Sequence, residues 1–322
     1  MPDGVLALIG RTPIVQLKRI GEGLPNPIFA KCEHLNPGGS IKDRIALAIV
    51  TDAETRGLLA PGATLIEATA GNTGMGLALV ASARGYRLVT VMPEKMSADK
   101  REALAALGAE VVITPNAPPG APENFQEVAK RLATEHGWFL TRQFENPANV
   151  RVHEETTGAE ICDQIEGEIA AFVAGAGTGG TLSGVGRRLK RERPNARVVL
   201  ADPIGSGLAA WVDSGAVGPG GSYAVEGIGS SAVPANLHRD VIDEALSISD
   251  GESFAMAGRL IREEGLLVGG SAGTNVAAAV RLAARADLRG AIVTVLPDSW
   301  DRYRSLPWMR ELAARTRDPD AD

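Results

Sequence analysis

The chain has 322 residues, 44% hydrophobic and 22% charged, enough to bury a sizeable core in one large or two medium domains of an ordinary globular protein. A formal charge of −6 and a pI near 5.4 exclude a basic nucleic-acid surface, and no apolar run is long enough to cross a bilayer. Cys32 and Cys162 lie far apart and outside CxxC or zinc-ligand spacing, so both read as core thiols, with no disulfide framework and no metal site expected. The start of the chain carries no signal-peptide pattern, which makes the cytoplasm the expected location.

In chain order, residues 9–17 read as a turn and a short strand, and residues 28–33 as a second strand after a Pro/Gly interruption. Next comes Asn36-Pro37-Gly38-Gly39-Ser40-Ile41-Lys42-Asp43-Arg44. Pro37, Gly38 and Gly39 break regular structure, and Ser40 is placed to cap a helix whose apolar positions Ile41, Ile45, Ala48 and Ile49 recur at helical spacing. That helix runs to about residue 56 and holds Lys42 in its first turn. Unpaired N–H groups and the positive end of the helix dipole disfavour an ammonium there, and partial burial lowers its pKa further. A neutral amine so placed can form a Schiff base with a carbonyl. In isolation, Gly-Gly-Ser-x-Lys is more often a surface lysine at an ordinary helix start.

Strand and helix then alternate: strand 65–67, helix 73–83, strand 87–92, helix 97–107, strand 110–113, a Pro-rich surface loop 115–122, a helix to 136, and a short strand. Repeated units of this length predict a parallel sheet with helices on both faces. The polar stretch 143–149 is placed to cross between two domains. A helix over 152–164 and a strand over 170–174 follow, then Gly175-Ala176-Gly177-Thr178-Gly179-Gly180-Thr181, a helix to 190 and a strand over 197–201. Arg187-Arg188-Leu189-Lys190-Arg191 reads as the solvated end of that helix. Residues 202–224, rich in Gly, Ser and Pro, read as loop; two αβ units follow, ending in a strand at 291–296, and the charged tail 317–322 is expected to fray. The histidines at 34, 136, 153 and 238 form no spaced cluster and are given no role.

Glycines 175, 177 and 180 satisfy GxGxxG after a strand and before a helix, and Asp202 ends the next strand about twenty residues on, as in a dinucleotide site. The same backbone also suits a single phosphate, with N–H groups and hydroxyls converging at a helix N-terminus. The loop alone leaves both readings open. Thr69-Ala70-Gly71-Asn72-Thr73, between strand and helix, suits carboxylate capture, or is an ordinary βα loop.

Lys31-Cys32-Glu33, Lys42-Asp43-Arg44, Glu67-Ala68-Thr69-Ala70-Gly71-Asn72-Thr73-Gly74 and the Gly-Thr-Gly-Gly-Thr at 177–181 together resemble the pyridoxal-phosphate enzymes of the cysteine synthase and cystathionine β-synthase family. The resemblance runs from Ile9-Gly10-Arg11-Thr12-Pro13 to Leu296-Pro297-Asp298-Ser299. It implies a fold-type-II, tryptophan synthase β-like α/β enzyme: two three-layer αβα domains, residues 41–146 the smaller and 1–40 with 147–322 the larger, with pyridoxal 5′-phosphate in the cleft. It further implies that Lys42 carries the cofactor and serves as catalytic base, and that Gly177, Thr178, Gly179, Gly180 and Thr181 hold the phosphate. Asn72 is then placed for the cofactor's ring oxygen and Ser271, in isolation a helix cap, for the ring nitrogen. A hydroxyl at that nitrogen carries no charge to hold the ring protonated, which favours elimination from Cβ over transamination or racemisation.

Thr69, Ala70, Gly71, Thr73 and Gln143 fall where the family binds the substrate's α-carboxylate, with Ala70 standing where many relatives have Ser. Gly227 belongs to Glu226-Gly227-Ile228-Gly229-Ser230-Ser231, similar to the family's flexible Glu-Gly-Ile-Gly loop; Ser230-Ser231 differ from the Tyr-Asp of the closer cystathionine β-synthases. Asp298 is placed near the cofactor face by analogy. The implied reaction is β-replacement: a serine or O-acetylserine loses its β-substituent and a thiol or sulfide replaces it. More of the motifs look like cystathionine β-synthase, with homocysteine as nucleophile, while 143–149 is similar to cysteine synthase, with sulfide. A serine or threonine dehydratase, a nicotinamide oxidoreductase using only the Gly175 loop, and a catalytically silent binder are the other readings. The resemblance implies a homodimer with small amino-acid and thiol substrates, and the haem-binding and regulatory domains of some cystathionine β-synthases are not expected.

Overall fold

The computed structural model describes residues 4–315; the frayed tail expected at 317–322 lies outside them. The first half runs β1 (Ile14–Gln16), β2 (Ile28–Lys31), α1 (Lys42–Thr55), β3 (Thr64–Ala68), α2 (Asn72–Arg84), β4 (Arg87–Pro93), α3 (Ala98–Ala106), β5 (Glu110–Thr114), α4 (Phe125–His136) and β6 (Phe139–Leu140). Then follow α5 (Ala148–Val152), a π turn (His153–Thr157), α6 (Gly158–Gln164), β7 (Ile169–Ala174), α7 (Gly180–Glu192), β8 (Arg197–Pro203), α8 (Leu208–Ser214), β9 (Glu244–Ile248), α9 (Asp250–Glu263), α10 (Gly270–Ala283), β10 (Ala291–Val295) and α11 (Pro307–Arg315).

Two sheets result, in the orders β5-β4-β3-β6 and β1-β2-β10-β7-β8-β9. All pairings are parallel except β1 with β2, a hairpin-like edge that the expectation of a parallel sheet omitted. In β7 every residue is buried, as parallel strands covered on both faces require. Successive side chains point to opposite faces. Ala171 and Val173 therefore enter a core shared with Leu260, Val276 and Leu282, while Phe172 and Ala174 enter one shared with Ile161, Leu182 and Val185. The smaller sheet repeats the arrangement, with Leu65 and Leu88 packed against Ala46 and Leu77, and Ile66 and Val89 against Val128 and Ala129. Each sheet is thus the middle of three layers. The free thiols of Cys32 and Cys162 are buried in cores on opposite faces of the larger sheet.

Several boundaries differ from the sequence reading. The helix expected over 152–164 begins at Ala148 and contains the π turn: Pro147 at its cap tolerates a position where a missing N–H costs nothing. The stretch 202–224 holds α8, whose Ala209 N–H is capped by Asp202 Oδ2 at 2.8 Å. The last part runs β9-α9-α10-β10, one strand-helix-helix-strand passage rather than two αβ units. Glu33, read as strand, belongs to a short 3-10 turn. Ser40 is not the cap residue of α1, which is Ile41; its Oγ accepts the Lys42 N–H at 3.2 Å from one position earlier.

Candidate active site

A cleft of about 920 Å³ opens where the C-terminal ends of the strands converge, the place where α/β sheets bind ligands. β3 feeds the 69–73 loop and α2, β7 feeds the 175–181 loop and α7, and β10 ends at Pro297-Asp298; all contribute to the cleft wall. Lys42, Asn72, Gly177, Thr178, Gly179, Thr181 and Ser271 line it, as do Thr69, Ala70, Gly71, Thr73, Gln143 and Gly227. Gly180 does not: it opens α7 and faces the Asn149 side chain, which a Cβ at this position would meet at 1.9 Å.

Lys42 reaches the cleft because the turn before it is stitched to the end of the larger sheet. Ile41 N–H donates to the Pro297 carbonyl at 2.8 Å, Ser299 N–H to the Gly39 carbonyl at 3.1 Å, and Asp43 Oδ2 accepts the Gly38 N–H at 2.6 Å. The Lys42 side chain is half-buried and its amine makes no hydrogen bond among the described residues. Burial pushes that amine below the ordinary lysine range, against the opposing charge of Asp298. The sequence reading anticipated the burial and placed Asp298 near the cofactor face by analogy, without setting its charge against Lys42.

Facing it, the 175–181 loop is shaped as an anion seat. The N–H groups of Gly177, Thr178 and Gly179 have no hydrogen-bond partner among the described residues, and they precede the first turn of α7 with its own unpaired donors. A Cβ on Gly177 would lie 2.2 Å from the Gly227 carbonyl oxygen, and Gly179 has φ +86°, so neither accepts a side chain without displacement. Asn149 braces the loop by donating to Thr178 Oγ1 at 3.0 Å and to the Gln143 carbonyl at 2.8 Å. His153 in the π turn lies 3.2 Å from Thr181 Oγ1 and 2.9 Å from Thr157 Oγ1. Burial, with the Arg44 charge adding to it, pushes the His153 imidazole down to about 3, so it braces the loop as a neutral ring. Neither residue was given a role from sequence.

In the 69–73 loop Gly71 N–H is held by Thr69 Oγ1 at 3.2 Å, and Thr73 Oγ1 donates to Gln143 Oε1 at 2.5 Å. Asn72 donates to Asp298 Oδ2 at 2.6 Å, which also accepts the Tyr303 hydroxyl at 2.5 Å. Burial raises the Asp298 carboxyl, with the bonds from Tyr303 and Asn72 and the Arg302 charge opposing. Ser271 is the second residue of α10, buried and facing the cleft; the helix cap is Gly269, so Ser271 is not a cap. Its hydroxyl makes no hydrogen bond among the described residues.

The words that carried the family resemblance outside the cleft form one buried ionic cluster. Arg44 pairs with Glu33 at 2.8 Å and Glu160 at 2.7 Å, and Lys31 with Glu160 at 2.7 Å. Burial alone raises Glu160, yet the Arg44 and Lys31 contacts overrule it and hold the carboxyl at about 2. This cluster ties the first turn of α1 to β2 and α6.

An amine left free for a carbonyl on one wall and a seat for a phosphate on the other are what a Schiff-base enzyme with a phosphorylated cofactor requires, and that is the class the fold and cleft define. A family model described as pyridoxal-phosphate dependent enzyme matches residues 5–298. The chain is 43% identical over 306 residues to a cysteine synthase of Staphylococcus aureus, covering 95% of this chain and 96% of that one. It is 47% identical over 307 residues to a cystathionine beta-synthase of Apis mellifera, covering 94% of this chain and 60% of that one. A crystal structure of O-ureido-L-serine synthase superposes with a TM-score of 0.87 at 40% identity, covering 95% of this chain and 94% of that one.

The chain belongs to the pyridoxal-phosphate dependent enzyme family and has its fold-type-II architecture, with pyridoxal phosphate as cofactor. The dinucleotide reading of the 175–181 loop falls with this, and Asp202, which that reading needed at a ribose, is turned to α8 instead. No helix among the described residues is long and apolar enough to cross a membrane.

Proposed function

We propose that the chain catalyses β-replacement on L-serine or O-acetyl-L-serine with a thiol nucleophile, in sulfur amino-acid biosynthesis. A cystathionine-forming reaction with homocysteine is favoured and a cysteine-forming reaction with sulfide is the alternative. The observation that carries this reading is the half-buried Lys42 amine, without a hydrogen bond of its own, across the cleft from the unpaired N–H groups of Gly177, Thr178 and Gly179. The preference for cystathionine formation rests on the sequence words around residues 31–33, 84–97 and 265–273 and on the 47% identity to the bee enzyme.

Pyridoxal phosphate bound here supplies an electron sink for negative charge developing at the substrate's α-carbon. Gly177, Thr178, Gly179 and Thr181 would hold its phosphate, with Gly180 packed on Asn149 behind them, Asn72 its ring oxygen and Ser271 its ring nitrogen. Thr69, Gly71, Thr73 and Gln143 orient the substrate's α-carboxylate at the start of α2, with Ala70 supplying backbone only. Lys42, whose ammonium form burial disfavours, takes the proton from the α-carbon as general base and can return it to the departing β-substituent. Ser271, uncharged, leaves the sink weaker than a carboxylate partner would, which favours departure of the β-group over slow reprotonation. Gly227 lines the cleft beside the phosphate seat, its carbonyl packed close against Gly177. Residues 41–146 act as one body and the remainder as the other, with the cleft between them, and two chains associate as a homodimer.

The test is turnover with each donor and each nucleophile in a matrix. Serine with homocysteine giving cystathionine supports the favoured reaction; O-acetylserine with sulfide giving cysteine supports the alternative. Release of ammonia without incorporation of any thiol would replace both with a dehydratase.

A further inference from the structure

Glu67, next to last in β3, is a buried carboxylate with no task in the chemistry above; it is 4% exposed and its hydrogen-bond partners are all uncharged. Oε2 accepts the Thr141 hydroxyl and, at 3.1 Å, the Gln143 N–H, while Oε1 accepts the Ala68 N–H at 3.0 Å. Burial raises this carboxyl above the usual range, with the bonds from Thr141, Gln143, Ala68 and the Arg142 backbone opposing it. Strand register explains the meeting. Ile66 pairs with Leu140 at the end of β6, so the next residues of the two parallel strands, Glu67 and Thr141, leave the ladder side by side. The Thr141 N–H still donates to the Ile66 carbonyl at 3.2 Å.

The turn that follows is one the backbone does not adopt freely. Arg142 has φ +52°, and among the described non-glycine residues only Arg11 shares that sign. A Cβ makes this left-handed conformation costly, so it persists where the surroundings impose it. Arg142 is itself exposed. Its carbonyl accepts the Glu145 and Asn146 N–H groups at 2.9 and 2.8 Å, and the next carbonyl, that of Gln143, accepts the Asn149 and Asn236 amides at 2.8 and 3.0 Å. Glu67 takes the N–H side of the same turn. What the turn delivers is the Gln143 side chain on the cleft wall, its Oε1 taken by the Thr73 hydroxyl at 2.5 Å and its Nε2 without a hydrogen bond among the described residues. An amide nitrogen so placed is a donor for a carboxylate.

We propose that Glu67 is the positioning residue of the α-carboxylate seat: by holding residues 141–143 in the left-handed turn it fixes Gln143 in the cleft, and through Gln143 it sets the preference for α-amino acids over the matching amines. Glu67 is not part of the cleft wall and acts only through the turn. The assignment rests on the reading that Thr69, Gly71, Thr73 and Gln143 bind the substrate's α-carboxylate.

The experiment follows the visible band of the holoenzyme during titration with L-methionine, whose sulfur is on Cγ and cannot leave from Cβ, and with 3-(methylthio)propylamine, the same molecule without its carboxylate. Wild type, Glu67→Gln, Arg142→Gly and the double variant are compared. Glu67→Gln keeps the shape but sets a donor amide against N–H groups. Its Kd for methionine should rise by roughly tenfold to a hundredfold, the range of a charge-assisted hydrogen bond, while its Kd for the amine moves by less than about threefold. Glycine adopts positive φ at no steric cost, so Arg142→Gly added to Glu67→Gln should recover part of the methionine affinity. Glu67→Asp, which keeps the charge one methylene short, should fall between wild type and Glu67→Gln, and is read in the same way where Glu67→Gln does not fold.

A ratio of the two Kd values that stays at the wild-type level in Glu67→Gln overturns the proposal, because a loss of general stability weakens both ligands alike. A double variant no better than Glu67→Gln overturns it too, since the turn would then not be what Glu67 holds. A wild-type band that responds to neither L-methionine nor L-serine would instead refute the functional reading, and the assignment would fall with it.

Discussion

Lys42 sits between two opposing influences, burial that favours its neutral amine and the Asp298 carboxylate that favours its ammonium. Burial wins, so the amine is available to a carbonyl at a lower pH than an exposed lysine would be. Replacing Asp298 with Asn removes the influence that raises the Lys42 pKa. The rate at which pyridoxal phosphate reconstitutes the stripped protein, followed against pH, should then reach its midpoint at lower pH in Asp298→Asn than in wild type. A midpoint that rises instead would mean that Asp298 does not act on Lys42. Lys42→Ala should abolish the visible band of the bound cofactor and lower turnover by at least about a hundredfold, the smallest contribution usual for a positioned general base. Gly38, Gly39 and Ser40 mark the helix start beside Lys42, and the family resemblance of the surrounding motifs is what singled that lysine out in the sequence. Asp298 was placed near the cofactor face by analogy alone, and Arg302 was not legible as a neighbour of either. They arrive more than 250 residues later, and the backbone bonds of Ile41 with Pro297 and of Ser299 with Gly39 bring the two stretches together.

At the scale of elements, the phosphate seat is held by parts that carry no motif. Asn149 and His153 belong to the helix at 148–164, which periodicity started too late because Asn146-Pro147 reads as loop, and whose π turn no spacing rule foretells. A histidine held neutral by burial makes folding sensitive to acid. The unfolded chain binds a proton at His153 as pH falls below about 6.5, whereas the folded chain resists until about 3. Stability from this group is therefore full above the unfolded value and is lost progressively as pH falls toward the folded one. In urea unfolding the wild type should lose stability between pH 7 and pH 5, at up to about 1.4 kcal/mol per pH unit from this residue. His153→Gln should start less stable and lose less over the same interval. An equal loss in both proteins would show that His153 is not the source of the acid sensitivity. The strands at 28–31, 64–68, 87–93, 110–114, 169–174, 197–203 and 291–295, by contrast, were read to within one or two residues, because β-branched runs bounded by Gly and Pro signal a buried parallel strand whatever surrounds it.

For the whole molecule, the decisive contacts are ionic and long-range. Arg44, in the first turn of α1, is buried between Glu33 and Glu160, so that helix cannot shift without breaking pairs in two other elements. Arg44→Met leaves Glu33 buried and without its cation, a loss on the order of 3–5 kcal/mol, to be measured as a lower denaturant midpoint. A change below about 1 kcal/mol would mean that the cluster contributes shape and little energy. Lys100 on α3 and Glu226 beside Gly227 join opposite walls of the cleft mouth at 2.6 Å. Both are partly exposed, so the pair contributes about 1 kcal/mol or less. Lys100→Met should therefore speed cofactor exchange by no more than about fivefold, and a hundredfold change would show that the pair governs closure. The sequence words Lys31-Cys32-Glu33 and Lys42-Asp43-Arg44 announced a family without saying why they travel together; the cluster supplies the reason.

A lysine-bound pyridoxal phosphate at Lys42 that supports β-replacement is tested most directly by the visible absorbance spectrum of the purified, reconstituted protein as a donor and then a nucleophile are added. The expected result is a yellow protein whose band shifts when serine or O-acetylserine is added and returns when homocysteine or sulfide follows, with Lys42→Ala lacking both changes. A wild-type band that ignores every amino acid, or a shift that persists unaltered in Lys42→Ala, would contradict it.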